Sequence, residues 1–489
     1  MSKGALTQLV AIGAQDSNFL TCDTTKSIFQ EKEKKITNFV RSTSSMIPIG
    51  NSNWGSTIKF NIERRGDLLS SLYLVVELPE VNASHIGDKL KCTTGSLNQT
   101  GDLHFKWADY IGNVIVENVK LYFNGQLIDE QTGEFQQIYT DLYDDDWNKL
   151  CMIGMDGDLE KPKKILESGV IVESNHLFIP LKFWFCNSLS KALPLIALQY
   201  TDIEVEVKIR RWEDCYLILK NGYNVFNGYS DRIFVNVKGN NSTSNSEYYK
   251  IKEIPIPSIK LDCNYIYLES CERKKLAEKE HKILITQVQK TSQAVNQNNY
   301  IDLNFNHPVK EMFFFFTSKQ HMEGSGELFN FSNKSNYMPS YSYDVVNALQ
   351  SSEQDDWYCL APQTKKHFLK EARLLINGHA RIDWSDYKYF YYLQNYENYR
   401  NKLEHFVYLY SFSGNPKSET PMGSINFSRI DNCQLQFRTS EFSKKDAKKY
   451  LPSTKENNVD DESLDVNVYA INYNFLKISG GMAGLEFSN

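Results

Sequence analysis

No two cysteines in this chain are spaced to close a metal site. The nine stand far apart, at Cys22, Cys92, Cys151, Cys186, Cys215, Cys263, Cys271, Cys359 and Cys433, without the C-x2-C spacing of a structural zinc centre. The amino terminus has no basic segment followed by a long apolar stretch. With an odd number of cysteines, this leads us to expect synthesis in the cytosol and reduced, buried thiols. Long apolar runs are missing too. The most hydrophobic stretches, Tyr73–Leu78 and Met312–Thr317, have the length of strands and fall short of the roughly 20 residues that span a bilayer. Positive charge is not in excess: 54 Lys and Arg face 60 Asp and Glu, a formal net charge of −6. Without a broad cationic field to coat phosphates, direct nucleic-acid binding is not expected. The scattered His form no H-E-x-x-H pair and the serines no G-x-S-x-G elbow, so no catalytic residue, metal or cofactor is expected and the chain reads as a non-enzyme.

What the chain does have is length and aromatic mass. Its 489 residues suffice for two domains with separate cores, and its 29 Tyr and 28 Phe favour pleated, half-buried surfaces. Runs rich in β-branched and aromatic residues recur at Thr57–Ile62, Leu72–Leu78, Val114–Phe123, Ile203–Ile209, Ile259–Leu268, Phe313–Thr317, Phe406–Phe412 and Val466–Ile478, most of them bounded by turn residues. Many short strands and few helical periods predict an all-β sandwich or barrel. The clearest helix candidate, Cys271–Lys282, carries charge around Leu276 and Ala277 and reads as a surface connector. Polar stretches at Asn82–Asp102, Lys220–Glu253, Met322–Ser342 and Pro452–Glu462 read as long loops, with 220–253 the most exposed.

The sequence repeats itself. Lys120-Leu121-Tyr122-Phe123-Asn124-Gly125 followed by Ile128-Asp129 is echoed by Arg373-Leu374-Leu375-Ile376-Asn377-Gly378 followed by Ile382-Asp383, each a strand entering an Asn-Gly hairpin turn. Thr201–Val207 is echoed by Arg429–Phe437, and Asp262–Leu268 by Asp465–Ile471. Three pairs in the same order predict two β domains of about 200 to 250 residues each, with the same strand order in both.

Several short motifs were weighed for chemistry. Asp144-Asp145-Asp146 lacks the spaced donors and glycine of a calcium loop and reads as a solvated turn. His321–Phe329, with Gly324 and Gly326, lacks the residues that cradle phosphate and reads as a flexible loop. Arg65-Gly66-Asp67 spells a tripeptide associated with adhesion receptors, but its place before a strand favours a turn. Asn82, Asn98, Asn240, Asn241, Asn330, Asn333 and Asn426 head sequons and are the candidate glycosylation sites, although cytosolic synthesis would keep them from the host secretory machinery.

A family resemblance runs nearly end to end. Gln8–Ala11, Gly13–Asp16, Thr37-Asn38-Phe39, Arg65–Leu68 and Leu78-Pro79 resemble the amino-terminal signature of the major capsid proteins of nucleocytoplasmic large DNA viruses, the group of iridoviruses, phycodnaviruses and mimiviruses. Leu193–Tyr200 and Tyr265–Leu268 with Glu272-Arg273 resemble the end of that family's first jelly roll, and His281–Gln289 the opening of its second. Asn426–Asn432, Tyr469–Asn474 and Gly480–Asn489 resemble its carboxyl end. In one departure, Cys22–Lys35 lacks an expected Gly-Asn-Pro and carries Glu31–Lys35. The resemblance implies a double jelly roll, two eight-stranded antiparallel β-sandwiches in tandem with long loop insertions. It divides the chain into an amino-terminal arm (1–26), a first jelly roll (27–275) and a second (276–489). It further implies a homotrimeric, pseudohexagonal capsomer that tiles an icosahedral virion shell. Such a capsomer would contact neighbouring capsomers, minor capsid and penton proteins and, through these, an internal membrane. A minor capsid paralogue or scaffold, or a jelly-roll carbohydrate-binding protein, are the alternatives.

Overall fold

The computed structural model describes residues 37–85, 103–143, 147–155, 159, 161–165, 168–220, 223–224, 254–295, 299–318, 327–332, 367–440 and 464–487, with Thr7, Val10 and Ala11. Sixteen strands carry the architecture. In the first half these are β1 (Phe39–Met46), β2 (Thr57–Asn61), β3 (Leu68–Leu78), β4 (Val116–Phe123), β5 (Gln126–Thr132), β6 (Asn175–Pro180), β7 (Ile203–Ile209) and β8 (Ser258–Leu268). In the second they are β9 (His281–Val295), β10 (Tyr300–Asp302), β11 (Pro308–Ser318), β12 (Leu369–Ile376), β13 (His379–Asp386), β14 (Tyr408–Ser411), β15 (Cys433–Thr439) and β16 (Leu464–Ser479).

All neighbouring strands among these sixteen pair antiparallel, and the two halves have the same order. The first half forms sheets β1-β8-β3-β6 and β2-β7-β4-β5, and the second β9-β16-β11-β14 and β10-β15-β12-β13. Adding eight to each strand number of the first half gives the second. Even the accessory strands correspond: Leu193-Pro194 pairs with the start of β3, and Ile425-Asn426 with the start of β11. The expected duplication is therefore present as two copies of one jelly-roll topology.

The Asn-Gly motifs show why the repeat survives in the sequence. Asn124 and Gly125 have φ of 47° and 78°, and Asn377 and Gly378 have 48° and 78°, so both pairs of residues are left-handed, as a two-residue hairpin turn demands. Each Asn also clamps the approach to the seventh strand of its own jelly roll. Asn124 Oδ1 accepts from Asp202 N at 2.7 Å, and Asn377 Oδ1 accepts from Asp431 N and Asn432 N at 3.1 and 3.0 Å. The same side chain thus fixes the turn and the strand beside it.

Three expectations need correction. Val114 and Ile115 do not begin a strand but close a short buried helix, Ile111–Ile115, because a short apolar run suits either element and its neighbours decide. Lys220, expected in the exposed loop, ends a strand that runs from Tyr216 and pairs with Leu103–Trp107; Tyr223-Asn224 folds back on it. The connector helix is shorter than its charge pattern suggested, spanning Ser270–Glu278 with no buried residue, and His281 and Lys282 already belong to β9.

One element that joins the two halves was not expected: helix α1 (Gly133–Tyr143), which follows β5. Its first residue must be glycine, since a Cβ there would sit 2.3 Å from Val116 O and 2.4 Å from Asn113 O. In the second half, a π turn at Tyr389–Leu393 leading into helix α2 (Gln394–Asn398) occupies the equivalent place after β13.

Candidate functional site

The surfaces that join the two jelly rolls and close one end of the molecule form the candidate functional site. In β3, Leu72, Leu74, Val76 and Leu78 are buried while Ser71, Tyr73, Val75 and Glu77 are only half-buried, the alternation of a sheet with one wet face. β11 does not alternate, for every residue from Val309 to Ser318 is buried. Met312, Phe314 and Phe316 fill the core of the second jelly roll. Phe313 and Phe315 belong instead to the buried cluster continuous with the first jelly roll's core. Phe135 of α1 lies against that outer face, its ring centroid 5.9 Å from Phe313 and 6.0 Å from Tyr469 of β16. Phe331 closes over Phe315 at 4.1 Å. At about 1.5–3 kcal/mol for each fully buried large apolar side chain, this aromatic seam extends the first jelly roll's core onto the outer face of the second.

Polar groups in the seam are paired across it. Lys310 Nζ lies 3.0 Å from Glu311 Oε1 and donates to Tyr143 Oη at 3.1 Å and Pro416 O at 3.0 Å. The Tyr143 and Tyr399 hydroxyls donate to the two oxygens of the same Glu311 carboxylate. Burial, and then the adjacent carboxylate charge, push both phenols well above their ordinary range, so they remain donors. Asn401 Nδ2 donates to Leu142 O at 2.8 Å, and His405 Nδ1 lies 2.5 Å from Asp141 Oδ2. At the open edge of β9, Val288 N donates to Asp129 Oδ1 at 3.0 Å, while Gln131 Nε2 donates to Asp129 Oδ2 at 2.9 Å. A side chain of one jelly roll thereby satisfies an edge amide of the other. Burial pushes the Asp129 carboxyl up to about 6, against the pull of those hydrogen bonds.

Strand directions alternate along the chain, so the odd and even connections leave opposite ends of each sandwich. In both halves the even ones include the two-residue hairpins at 124–125 and 377–378, whereas the five longest connections (79–115, 133–174, 210–257, 319–368 and 440–463) are all odd, as is the long connection 387–407. Pairing brings three of them together. Segments from 79–115, 133–174 and 210–257 build one small sheet, Leu103–Trp107 with Lys163-Lys164 and Tyr216–Lys220. A cavity of about 490 Å³ at this end draws Lys106, Tyr110, Met155, Leu217, Phe329 and His405 from five different long connections.

The motifs weighed in the sequence fall as follows. Asp67 of Arg65-Gly66-Asp67 is buried; its Oδ2 accepts from Leu268 N at 2.9 Å and its Oδ1 lies 3.1 Å from Arg273 Nε. A Cβ on Gly66 would approach Tyr265 Cβ to 2.7 Å. The tripeptide is a bend that ties β3 to β8 and the connector. Asn330 must be withdrawn as a glycosylation candidate: it is 9% exposed, its Nδ2 donates to Glu327, and its Oδ1 accepts from Ser332 N and Oγ at 3.1 and 2.6 Å. Nor is the end of His321–Phe329 a free loop, because Leu328 and Phe329 are buried; the run Leu-Phe-Asn-Phe, three apolar residues in four, was the unused signal. Asn82 is half-buried, and Asn426 is exposed with its Oδ1 capping the turn at Ser428 N, 3.0 Å away. Asn98, Asn240, Asn241, Asn333, Asp144-Asp145-Asp146, Gly324 and Gly326 lie outside the described residues. Cys215, Cys263 and Cys433 are buried free thiols, and burial pushes Cys263 and Cys433 up to about 12; Cys271 is free and exposed. Among the described residues no three His, Cys, Asp or Glu side chains gather to hold a metal.

Two family models account for nearly all of this architecture. "Major capsid protein N-terminus" matches residues 27–269, and "Large eukaryotic DNA virus major capsid protein" matches 272–484. The chain belongs to the major capsid proteins of large eukaryotic DNA viruses. Among its relatives, the major capsid proteins of Phaeocystis pouchetii virus and of Paramecium bursaria Chlorella virus 1 are each 26% identical, over 99% of this chain and 100% of theirs. That of Pyramimonas orientalis virus is 27% identical with the same coverage. In fold, this capsid protein resembles a chain of the PBCV-1 capsid (TM-score 0.64, 22% identity, 95% of this chain and 100% of that one). It also resembles the Faustovirus major capsid protein (TM-score 0.64, 14% identity, 93% of each chain). Its relatives are structural proteins of the virion, and its role is that of a shell subunit.

Proposed function

We propose that this capsid protein acts as a homotrimer whose six jelly rolls give a pseudohexagonal capsomer, with an arm at 1–26, a first jelly roll at 27–275 and a second at 276–489. The observation that carries the reading is the pair of identical strand orders, joined by a buried seam. Three-fold symmetry acting on two alike domains gives nearly six-fold contacts, which suit a flat facet. The end that gathers the long connections is the outward face of the shell, and the end with the two-residue hairpins is its base. That base meets minor capsid and penton proteins and, through them, an internal membrane, without direct nucleic-acid contact. Synthesis and assembly take place in the host cytoplasm, and the protein catalyses no reaction. Glycans, where attached, sit on Asn426, Asn82 or the sequons at Asn98, Asn240, Asn241 and Asn333.

Native mass measurement with negative-stain imaging of the purified chain tests this. A stable trimer of pseudohexagonal outline is expected, and a strict monomer or dimer overturns it.

A further inference from the structure

The cavity of about 490 Å³ is shared between the two jelly rolls, with Lys106, Asp109 and Tyr110 of the first and Glu327, Glu404 and His405 of the second on its walls. His405 is only 8% exposed, and its ring packs among those of Tyr110, Phe329 and Phe331, with centroids 5.1, 6.5 and 5.8 Å away. Its Nδ1 faces Asp141 Oδ2 at 2.5 Å. Asp141 is not part of the cavity wall, so the opposite ring nitrogen, Nε2, is turned toward the cavity. Among the described residues Asp141 is the one hydrogen-bond partner of this ring. With the proton of the neutral imidazole on Nδ1, Nε2 is an acceptor that the protein leaves unsatisfied, and such a buried group is costly unless something else supplies a donor. The charge on the walls is negative. Lys106 Nζ is paired with Asp109 Oδ1 at 2.5 Å, which leaves the carboxylates of Glu327 and Glu404 in excess. Tyr110, held at φ 56° and ψ 40°, a conformation that large side chains seldom adopt, donates its hydroxyl to Glu404 Oε2. Burial, and then that bond, push the Tyr110 phenol well above its ordinary range, so it remains the donor and Glu404 keeps its charge.

We infer that this cavity is a binding site for a small organic ammonium ion with an apolar body. The N–H groups of the ammonium supply donors to His405 Nε2 and to the Glu404 carboxylate, its neighbour in the chain, while Glu327 adds a second negative charge. The body of the ligand lies against Phe329, Phe331 and Phe406, which also line the cavity, and ring faces beside a positive charge attract it further. An anion would meet two uncompensated carboxylates. A bare metal ion fits poorly, because no three His, Cys, Asp or Glu side chains among the described residues gather to hold one. The acceptors instead stand around a space of the size that small molecules occupy, at a boundary between domains. A ligand there touches both jelly rolls, so its binding energy adds to the hold of one on the other.

Isothermal titration calorimetry of the purified full chain tests this at pH 8, above the ordinary imidazole range. The probes are 2-phenylethylammonium chloride, the neutral 2-phenylethanol, the anionic 3-phenylpropionate and magnesium chloride. The ammonium should bind saturably at one site per chain and at least about tenfold more tightly than the alcohol, the difference expected of a charge-assisted hydrogen bond, and the anion should not bind. Glu404→Gln, at an exposed position where an acceptor for Tyr110 is kept, should weaken the ammonium about tenfold and leave the alcohol unchanged, with circular dichroism as the folding control. Wild-type chain that takes up no ammonium at millimolar concentration overturns the site. An alcohol that binds as tightly as the ammonium, or an ammonium affinity that Glu404→Gln leaves unchanged, overturns the recognition of charge. Magnesium that displaces the ammonium, and is itself lost in Glu404→Gln, overturns the organic ligand in favour of a metal. The site lies within one chain, so none of these outcomes bears on the trimer.

Discussion

The carboxyl group of Asp129 makes the seam sensitive to pH in a calculable way. It is fully buried and held at about 6, against an ordinary 3.8, chiefly by burial. Because the folded chain holds this proton more tightly than the unfolded one, the group favours folding at low pH, and that contribution is lost as pH rises through about 6. The full interval, at 1.36 kcal/mol per pH unit, corresponds to about 3 kcal/mol, of which about 2 falls between pH 4 and pH 8. Asp129→Asn removes the ionisation and keeps an oxygen to accept from Val288 N. Its constant structural cost, whatever its size, cancels when the variant and wild type are compared at two pH values. Urea unfolding at pH 4 and pH 8 should therefore show the variant gaining about 2 kcal/mol on the wild type at the higher pH. A difference between the two proteins that does not change with pH would refute the claim that a buried, proton-binding carboxyl sits at this edge.

Three further outcomes follow from the same contacts. Phe135→Ala should cost about 3–5 kcal/mol and split one unfolding transition into two by calorimetry, because it empties the centre of the aromatic seam. Glu311→Ala should cost about 3–5 kcal/mol in chemical denaturation, since it leaves the buried Lys310 ammonium without its counter-charge and two phenols without an acceptor, whereas Glu311→Gln should cost less. Asn124→Ala and Asn377→Ala, which remove the same clamp from each jelly roll, should each lose about 1–2 kcal/mol and by similar amounts; very different losses in urea melts would argue against their equivalence.

Much of the fold was legible because its signals are local. Alternation marked Ile203–Ile209, and an Asn-Gly pair marked both hairpins, since each rests on a backbone geometry few residues accept. The run Met312–Thr317 was legible as a strand, yet nothing in it says that both faces are covered, because a doubly buried strand and any other apolar run look alike. What covers it, α1, was legible only in part: Phe135, Ile138 and Leu142 fall at helical spacing, but Glu134, Gln136, Gln137 and Asp141 dilute the pattern. Gln136, Gln137 and Asp141 are nonetheless buried. Gln137 and Asp141 are partnered, Gln137 Nε2 donating to Asp141 Oδ1 at 3.1 Å and Asn113 Nδ2 donating to Gln137 Oε1 at 2.8 Å. Asp141 also holds His405, 264 residues on, and a polar residue whose partner lies that far away carries no sequence mark of burial. Hence the seam was missed while the sheets it joins were found.

The two copies differ in how the outer faces of their equivalent sheets are covered. A repeated domain starts with two equal outer sheet faces, and two equal faces would let chains add end to end without preference for an internal partner. Here Phe313, Phe315 and Tyr469 commit one face to a contact within the chain. The counterparts of the first two, Tyr73 and Val75, remain partly open beside Asp262 and Asn264. Tethering, which raises the effective concentration of its partners, and the more apolar face both favour the internal contact. Making the outer face of the first sheet more apolar should favour contact between copies. Tyr73→Phe with Val75→Phe should strengthen association between copies and promote aggregates larger than a trimer during refolding, measurable by light scattering. Unchanged assembly of that variant would mean that the polarity of the first sheet's outer face does not govern which contact forms.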